Sequence, residues 1–141
     1  MGKAEGIVTP FTTTVRVYYE DTDTARIVYY ANYLKYFERG RTEWLRSLGY
    51  SQNRLAEEHG LAFAVRSVRV DYNAPARLDD LLLISTAVKK VSAARIFLEQ
   101  SALRGQQCLV SAEVQVVCVN MEKMQAVAIP ESLTDLLKEP F

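Results

Sequence analysis

The stretch Glu20–Leu45, EDTDTARIVYYANYLKYFERGRTEWL, decides how this chain is read. It follows TTTVRVYY (Thr12–Tyr19), whose β-branched and aromatic residues favour a strand. From Asn32 the period changes: Leu34, Phe37, Arg41, Trp44, Leu45 and Leu48 fall on one helical stripe, and Gly49 stops it. Acids therefore stand where a strand gives way to a helix. Asp21 and Asp23 are two apart and point to opposite sides of an extended backbone, which disfavours a shared-proton pair. A carboxylate in such a place bonds its own turn or caps the helix, or it serves as base or nucleophile at the mouth of a cleft. The stretch alone leaves both readings open.

The rest of the chain extends outward from this switch. Gly40 lies inside the helix, at a cost in propensity, where a small residue lets the helix axis approach another element closely. Ser51 is placed to cap a short second helix, QNRLAEEH, that ends at Gly60, with His59 in its last turn. Strands are expected at about 62–73, 80–91, 94–103, 107–119 and 123–128, and Pro130 opens a terminal helix, PESLTDLLKE. The order strand, helix, antiparallel meander predicts an α+β fold with one long helix against one curved sheet. In the run 63–73, strict alternation puts Phe63 and Val65 on one face and Val68, Val70 and Tyr72 on the other. Two apolar faces suggest burial of the second by another subunit. Cys108 and Cys118 share a face with Val110, Ala112, Val114 and Val116 in the same alternation and are expected to be buried. Ten strand residues hold them roughly 33 Å apart, beyond disulfide reach within that strand.

The composition narrows the function. The chain has 141 residues, 49% of them apolar, and a formal net charge of zero. That suits one domain, residues 1–141 with an N-terminal extension of about eleven residues, and leaves no cationic face for nucleic acid. No apolar run approaches the ~20 residues of a membrane span. MGKAEGIVTPF has no signal-like apolar core, so a cytoplasmic location is expected. A lone histidine and no C-x-x-C pair argue against a structural zinc site, and no metal or cofactor is expected. A His-dependent nucleophile and a glycine-rich phosphate loop are both missing from the sequence. What remains for an enzyme is a carboxylate and backbone dipoles, a toolkit suited to an already reactive ester or thioester. Tyr30 stands where the helix starts, so its N–H is expected among the unpaired donors of the first turn, suited to polarising a carbonyl oxygen. Tyr33 and Phe37 read as core. Lys89, Lys90 and Arg95 are candidate phosphate ligands, although charged strand ends are more often simply solvated.

The segment YYEDTDTARIVYYANYLKYFERGRTEWLRSLGY, with VDYNAPARLDDLL further on, resembles the hotdog-fold acyl-CoA thioesterases of the 4-hydroxybenzoyl-CoA thioesterase family, in particular the Tol-Pal-associated branch. The resemblance runs from Val15 to about Leu137, and D-x-D-x-x-x-(I/V)-V-Y-x-x-N-Y is its most specific part. It implies a long helix wrapped by an antiparallel sheet, hydrolysis of an acyl-CoA thioester, and a homodimer or homotetramer with its site between subunits. It puts the catalytic acid on Asp23 rather than Asp21, and the carbonyl-polarising amide on Tyr30. Arg26, Tyr29 and Asn32 become candidate substrate contacts. Two departures stand out: Tyr30 replaces a more usual His, and Ala25-Arg26 replaces a Gly-Gly or Ala-Gly pair. A hotdog dehydratase or hydratase is a second reading, weakened by the position of His59. A non-catalytic acyl-binding or scaffolding protein is a third.

Overall fold

The computed structural model describes residues 10–137. Along the chain run β1 (Phe11–Arg16), α1 (Asn32–Ser47), α2 (Gln52–His59), β2 (Leu61–Tyr72), β3 (Leu81–Val91), β4 (Arg95–Arg104), β5 (Gln107–Asn120), β6 (Gln125–Ala126) and α3 (Glu131–Leu137). The main strands form one antiparallel sheet in the order β1-β3-β4-β5-β2, and β6 adds a two-residue ladder to the end of β5. Helix α1 lies across the inner face of this sheet, against β1 and β3. The last residues expected in the terminal helix, Lys138 and Glu139, lie outside the described residues, as does most of the expected N-terminal extension.

Helix α1 buries Tyr33, Tyr36, Phe37, Gly40, Trp44 and Leu45. This stripe is rotated slightly from the expected one, leaving Leu34 41% exposed. Gly40 is the reason the contact line runs where it does. A Cβ built there would lie 2.8 Å from Ile84 Cγ2 and 3.1 Å from both Gln100 Nε2 and Thr86 Oγ1. Only a residue without a side chain lets the helix rest this low on β3 and β4. Beneath it, the buried Gln100 amide donates to Phe37 O (3.0 Å) and Thr86 Oγ1 (2.9 Å) and accepts from Arg41 Nη1 (3.0 Å), so its polar atoms are satisfied inside the core. The helix ends as expected: Gly49 takes φ +87°, and Tyr50 N–H donates back to Leu45 O. In α2, Ser51 Oγ accepts from Arg54 N at 2.9 Å, and Gly60 closes the helix at φ +66°.

Bulges in β2 and β5 correct the alternation read from the sequence, and β3 carries another. In β2, Val65 faces Val116 and Ser67 faces Gln115, so Arg66 is an extra residue. One extra residue flips every side chain beyond it. Phe63, Val65, Val68, Val70 and Tyr72 therefore share one face, the inner one, instead of dividing between two. The argument for a two-sided apolar strand falls. What remains is an edge strand whose inner face α1 covers only in part: Val65 is 51% exposed, Val68 41% and Tyr72 47%. In β5, Leu109 is the extra residue, between the pairs Ala102–Val110 and Leu103–Cys108. Leu109 and Val110 are both buried, and Cys108, expected inside, is turned out to solvent while Cys118 stays buried. In β3 the extra residue is Lys89.

Candidate active site

Strand β1 stops before the Tyr19 expected from its composition because the acids capture the backbone. Asp21 Oδ2 accepts from Tyr18 N at 2.9 Å, and Tyr19–Asp21 form a single 3-10 turn. Beyond it, Thr22 and Val28 form an antiparallel bridge, and Asp23 N donates to Ile27 O at 3.0 Å. The result is a small hairpin whose tip is Asp23–Arg26. Within the tip, Asp23 Oδ1 accepts from Ala25 N (2.9 Å), and Asp23 O accepts from Arg26 N (2.9 Å). The second carboxylate oxygen of Asp23 has no partner among the described residues, and the residue is exposed. Arg26 adopts φ +63°, the left-handed conformation that a glycine would take without strain.

The hairpin is pinned from its other side by the loop before β3. Val28 N donates to Ala76 O (2.9 Å), Leu78 N donates to Arg26 O (3.1 Å), and Ile27 bridges Arg77. That loop is fixed in turn by Asp80, whose Oδ2 accepts from Arg77 N and from Arg104 Nη1, each at 2.8 Å. Partial burial would raise the pKa of Asp80, but the Arg77 N–H and the Arg104 guanidinium outweigh it and the net shift is downward. Tyr33 Oη accepts from Ala76 N at 2.9 Å, joining the same loop to the first turn of α1.

Tyr30 does not begin the helix, as the sequence had suggested. It sits one residue before Ala31, which opens α1 without any side-chain cap. Tyr29 N–H is taken by Asp21 O (3.1 Å), whereas the Tyr30 and Ala31 N–H groups donate to no acceptor among the described residues. The Tyr30 carbonyl accepts from Tyr72 Oη at 3.2 Å. The Tyr30 ring is 61% exposed, 4.9 Å from the Tyr29 ring and edge-on to the Tyr72 ring at 6.1 Å. Asn32, a candidate substrate contact, has its Nδ2 committed to Asp21 O at 2.8 Å. Tyr36 is buried, and its Oη meets no hydrogen-bond partner among the described residues; burial first, and then the nearby Asp21 carboxylate, push its pKa well above that of an ordinary phenol.

The structure thus brings Asp23, Arg26, Tyr29, Tyr30 and Asn32 to one end of the molecule. It does not bring Lys89, Lys90 and Arg95 there. Lys89 lies eight residues along β3 from Leu81, ~26 Å at strand spacing. All three are already engaged: Lys89 with Glu99 at 3.6 Å, Lys90 over the Phe97 ring at 5.4 Å, and Arg95 Nη1 with Gln115 Oε1 at 3.0 Å. Tyr72 is the residue that reading the sequence passed over. Strict alternation placed it on the outer face; only with the Arg66 bulge counted does its hydroxyl point toward the helix start. A groove of about 350 Å³ runs on between α1 and β2, lined by Leu34, Phe37, Arg41, Val65, Val68 and Val114 among others.

A long helix laid in a curled antiparallel sheet of order β1-β3-β4-β5-β2 is the hotdog architecture. The thioesterase-like superfamily model matches residues 17–137, and the chain belongs to that family. It is 48% identical over 123 residues to the acyl-CoA thioesterase YbgC of Haemophilus influenzae, covering 87% of this chain and 90% of that protein. It is 43% identical over 132 residues to the acyl-CoA thioester hydrolase YbgC of Escherichia coli, covering 93% and 98%. A probable thioesterase of Bartonella henselae superposes with a TM-score of 0.83 at 38% identity, over 86% of this chain and 100% of that one.

Proposed function

We propose that this protein hydrolyses acyl-CoA thioesters to the free acid and CoA, at the turn that holds Asp23 and Tyr30. The observation that carries this reading is an exposed carboxylate with one oxygen free among the described residues, on a hairpin pinned beside a helix start where the Tyr30 and Ala31 N–H groups meet no acceptor among those residues. The names of the relatives above support the same chemistry. A thioester carbonyl oxygen accepts from Tyr30 N–H, backed by the dipole of a 16-residue helix. As the carbonyl carbon is attacked, charge gathers on that oxygen and the bond strengthens. Asp23 either attacks the carbon itself, releasing the thiolate and leaving an anhydride for water to open, or takes a proton from the attacking water. The acyl group runs from Leu34, one turn beyond Tyr30, into the groove between α1 and β2.

The reading includes a second copy. One edge of β2 pairs with no strand among the described residues, the strand carries the exposed Val65, Val68 and Tyr72, and pairing two such edges would cover them. Lys89, Lys90 and Arg95 lie at the far end of the sheet from their own chain's Asp23, and in this reading they meet CoA phosphates at a partner's site. Light scattering at micromolar concentration is expected to give a dimer or larger; a stable monomer would remove this part of the proposal.

The experiment is a free-thiol release screen over short, long and aryl acyl-CoAs with wild type, Asp23→Asn and Tyr30→Phe. Asp23→Asn is expected to lose at least ~100-fold in turnover with its melting temperature kept. Tyr30→Phe is expected to retain most of its turnover, because the proposed donor is main chain. A folded Asp23→Asn protein with near wild-type turnover would sink the mechanism.

A further inference from the structure

The orientation of a single peptide group at the helix start is set by a closed ring of three hydrogen bonds. Tyr29 N–H donates to Asp21 O (3.1 Å), Asn32 N–H donates to Tyr29 O (2.8 Å), and Asn32 Nδ2 donates to the same Asp21 O (2.8 Å). Asn32 therefore grips Tyr29 from both sides, through its own backbone and through Asp21. Asp21 is itself held, since its Oδ2 accepts from Tyr18 N at 2.9 Å. The consequence falls on the next group in the chain. In a trans peptide the N–H points opposite to the C=O across one rigid plane. The Tyr29 carbonyl points at Asn32 N, into the helix, so the Tyr30 N–H of the same plane must point away from it. On the other side, the Tyr72 hydroxyl donates to Tyr30 O at 3.2 Å and restrains the following peptide.

We propose that Asn32 and Asp21 form a positioning clasp that aims the Tyr30 N–H, and that neither touches substrate. This rests on the reading above in which that N–H polarises the thioester carbonyl. It gives the first acid of the D-x-D pair a task distinct from that of Asp23, and it removes Asn32 from the candidate substrate contacts. A donor held in advance at the angle the oxyanion needs spends nothing on reorganisation during reaction. Because the bond to that donor strengthens as charge gathers on the oxygen, its loss weighs more on the chemical step than on ground-state binding.

The test uses the full chain in its native assembly, with Asn32→Ala and the isosteric Asn32→Asp. The second keeps the shape, places a charge favoured at a helix N-terminus, and cannot donate when ionised. Three quantities are measured: amide hydrogen exchange at Tyr29, kcat and KM on the best acyl-CoA from the screen, and melting temperature. Both variants are expected to exchange the Tyr29 amide at least about tenfold faster and to lose about 10- to 100-fold in kcat. KM and melting temperature should hardly move. A rise in KM at unchanged kcat would make Asn32 a substrate ligand and overturn the proposal. So would unchanged kcat alongside faster exchange, since the clasp would then position nothing that turnover uses. Unchanged Tyr29 exchange would overturn the clasp itself, and that measurement stands even if wild type hydrolyses no thioester, an outcome that would defeat the parent reading instead.

Discussion

The middle of α1 and its beginning are held in place by opposite means. At Gly40 the helix is located by contact: a missing side chain, Ile84 and Thr86 underneath, and Gln100 closing the polar atoms in the dry interior. At residues 18–32 the surroundings are open, and the backbone is located by hydrogen bonds among residues that are mostly exposed or half-buried. Contact fixes position strongly but leaves nothing free to react. A hydrogen-bonded turn fixes direction while keeping a carboxylate oxygen and two N–H groups available. The two are joined by about two turns of stiff helix, so the buried region serves as the footing for the exposed one.

The contrast predicts stability losses in the first region and milder ones in the second. The largest is expected for Gly40→Leu. No rotamer avoids the contact already made by a Cβ, so α1 must lift from β3 at a cost of roughly 3 kcal/mol or more. A fall in melting temperature of ~10 °C is the expected reading; an unchanged value would mean that the helix is not seated by contact. Next comes Gln100→Leu, which strips Thr86 and Arg41 of their partner inside the core and should cost about 1–3 kcal/mol in denaturant unfolding. Asp80→Asn follows, at about 1 kcal/mol near neutral pH, because the Arg77 N–H and Arg104 lose a charged acceptor. The sign with pH is fixed by the downward shift of Asp80. Its contribution is full above the unfolded carboxylate pKa of about 3.9 and fades as pH falls through the lower folded value. Wild type and Asp80→Asn should therefore converge in stability under acid; divergence there would contradict the assignment. Smallest is Arg26→Gly, expected to change stability by less than ~1 kcal/mol, since relief of the left-handed strain is offset by the entropy of the freer unfolded chain. Hydrogen exchange of the hairpin amides in that variant would show whether the tip stays closed.

Most of the architecture was legible because long periodic segments report their own faces. The helix from Asn32 to its Gly49 stop, the Ser51 cap, and β2 to β5 lie within a residue or two of expectation. The errors have local physical causes. β1 is shorter because the Asp21 carboxylate takes Tyr18 N–H, a competition between side chain and ladder that a propensity scale does not carry. The expected strand at 123–128 shrinks to Gln125–Ala126. Cys108 and the outer half of β2 were placed on the wrong faces because alternation assumes strict pairing, and a bulge leaves no reliable mark in composition. At the site, the acid-rich switch and the amide of Tyr30 were visible as a pattern. The pairing of the 22–28 hairpin with the loop before β3, and with it the arrival of Tyr72, was not. Those contacts join residues some fifty positions apart.

The Arg66 bulge has a consequence for how this chain tolerates change. A substitution at Arg66 is a local event on an edge strand. Removing the residue would heal the ladder: Val65 already faces Val116 and Ser67 already faces Gln115, so the two would become neighbours, and Val68, Val70 and Tyr72 would keep their partners on β5. Adding a residue between Ser67 and Val68 is the edit of phase: the strand would have either to absorb a second bulge or to point Val68, Val70 and the Tyr72 hydroxyl outward. The strand thus tolerates one particular loss and not the matching gain. A one-letter insertion far from Asp23 along the chain would reach the turn beside it.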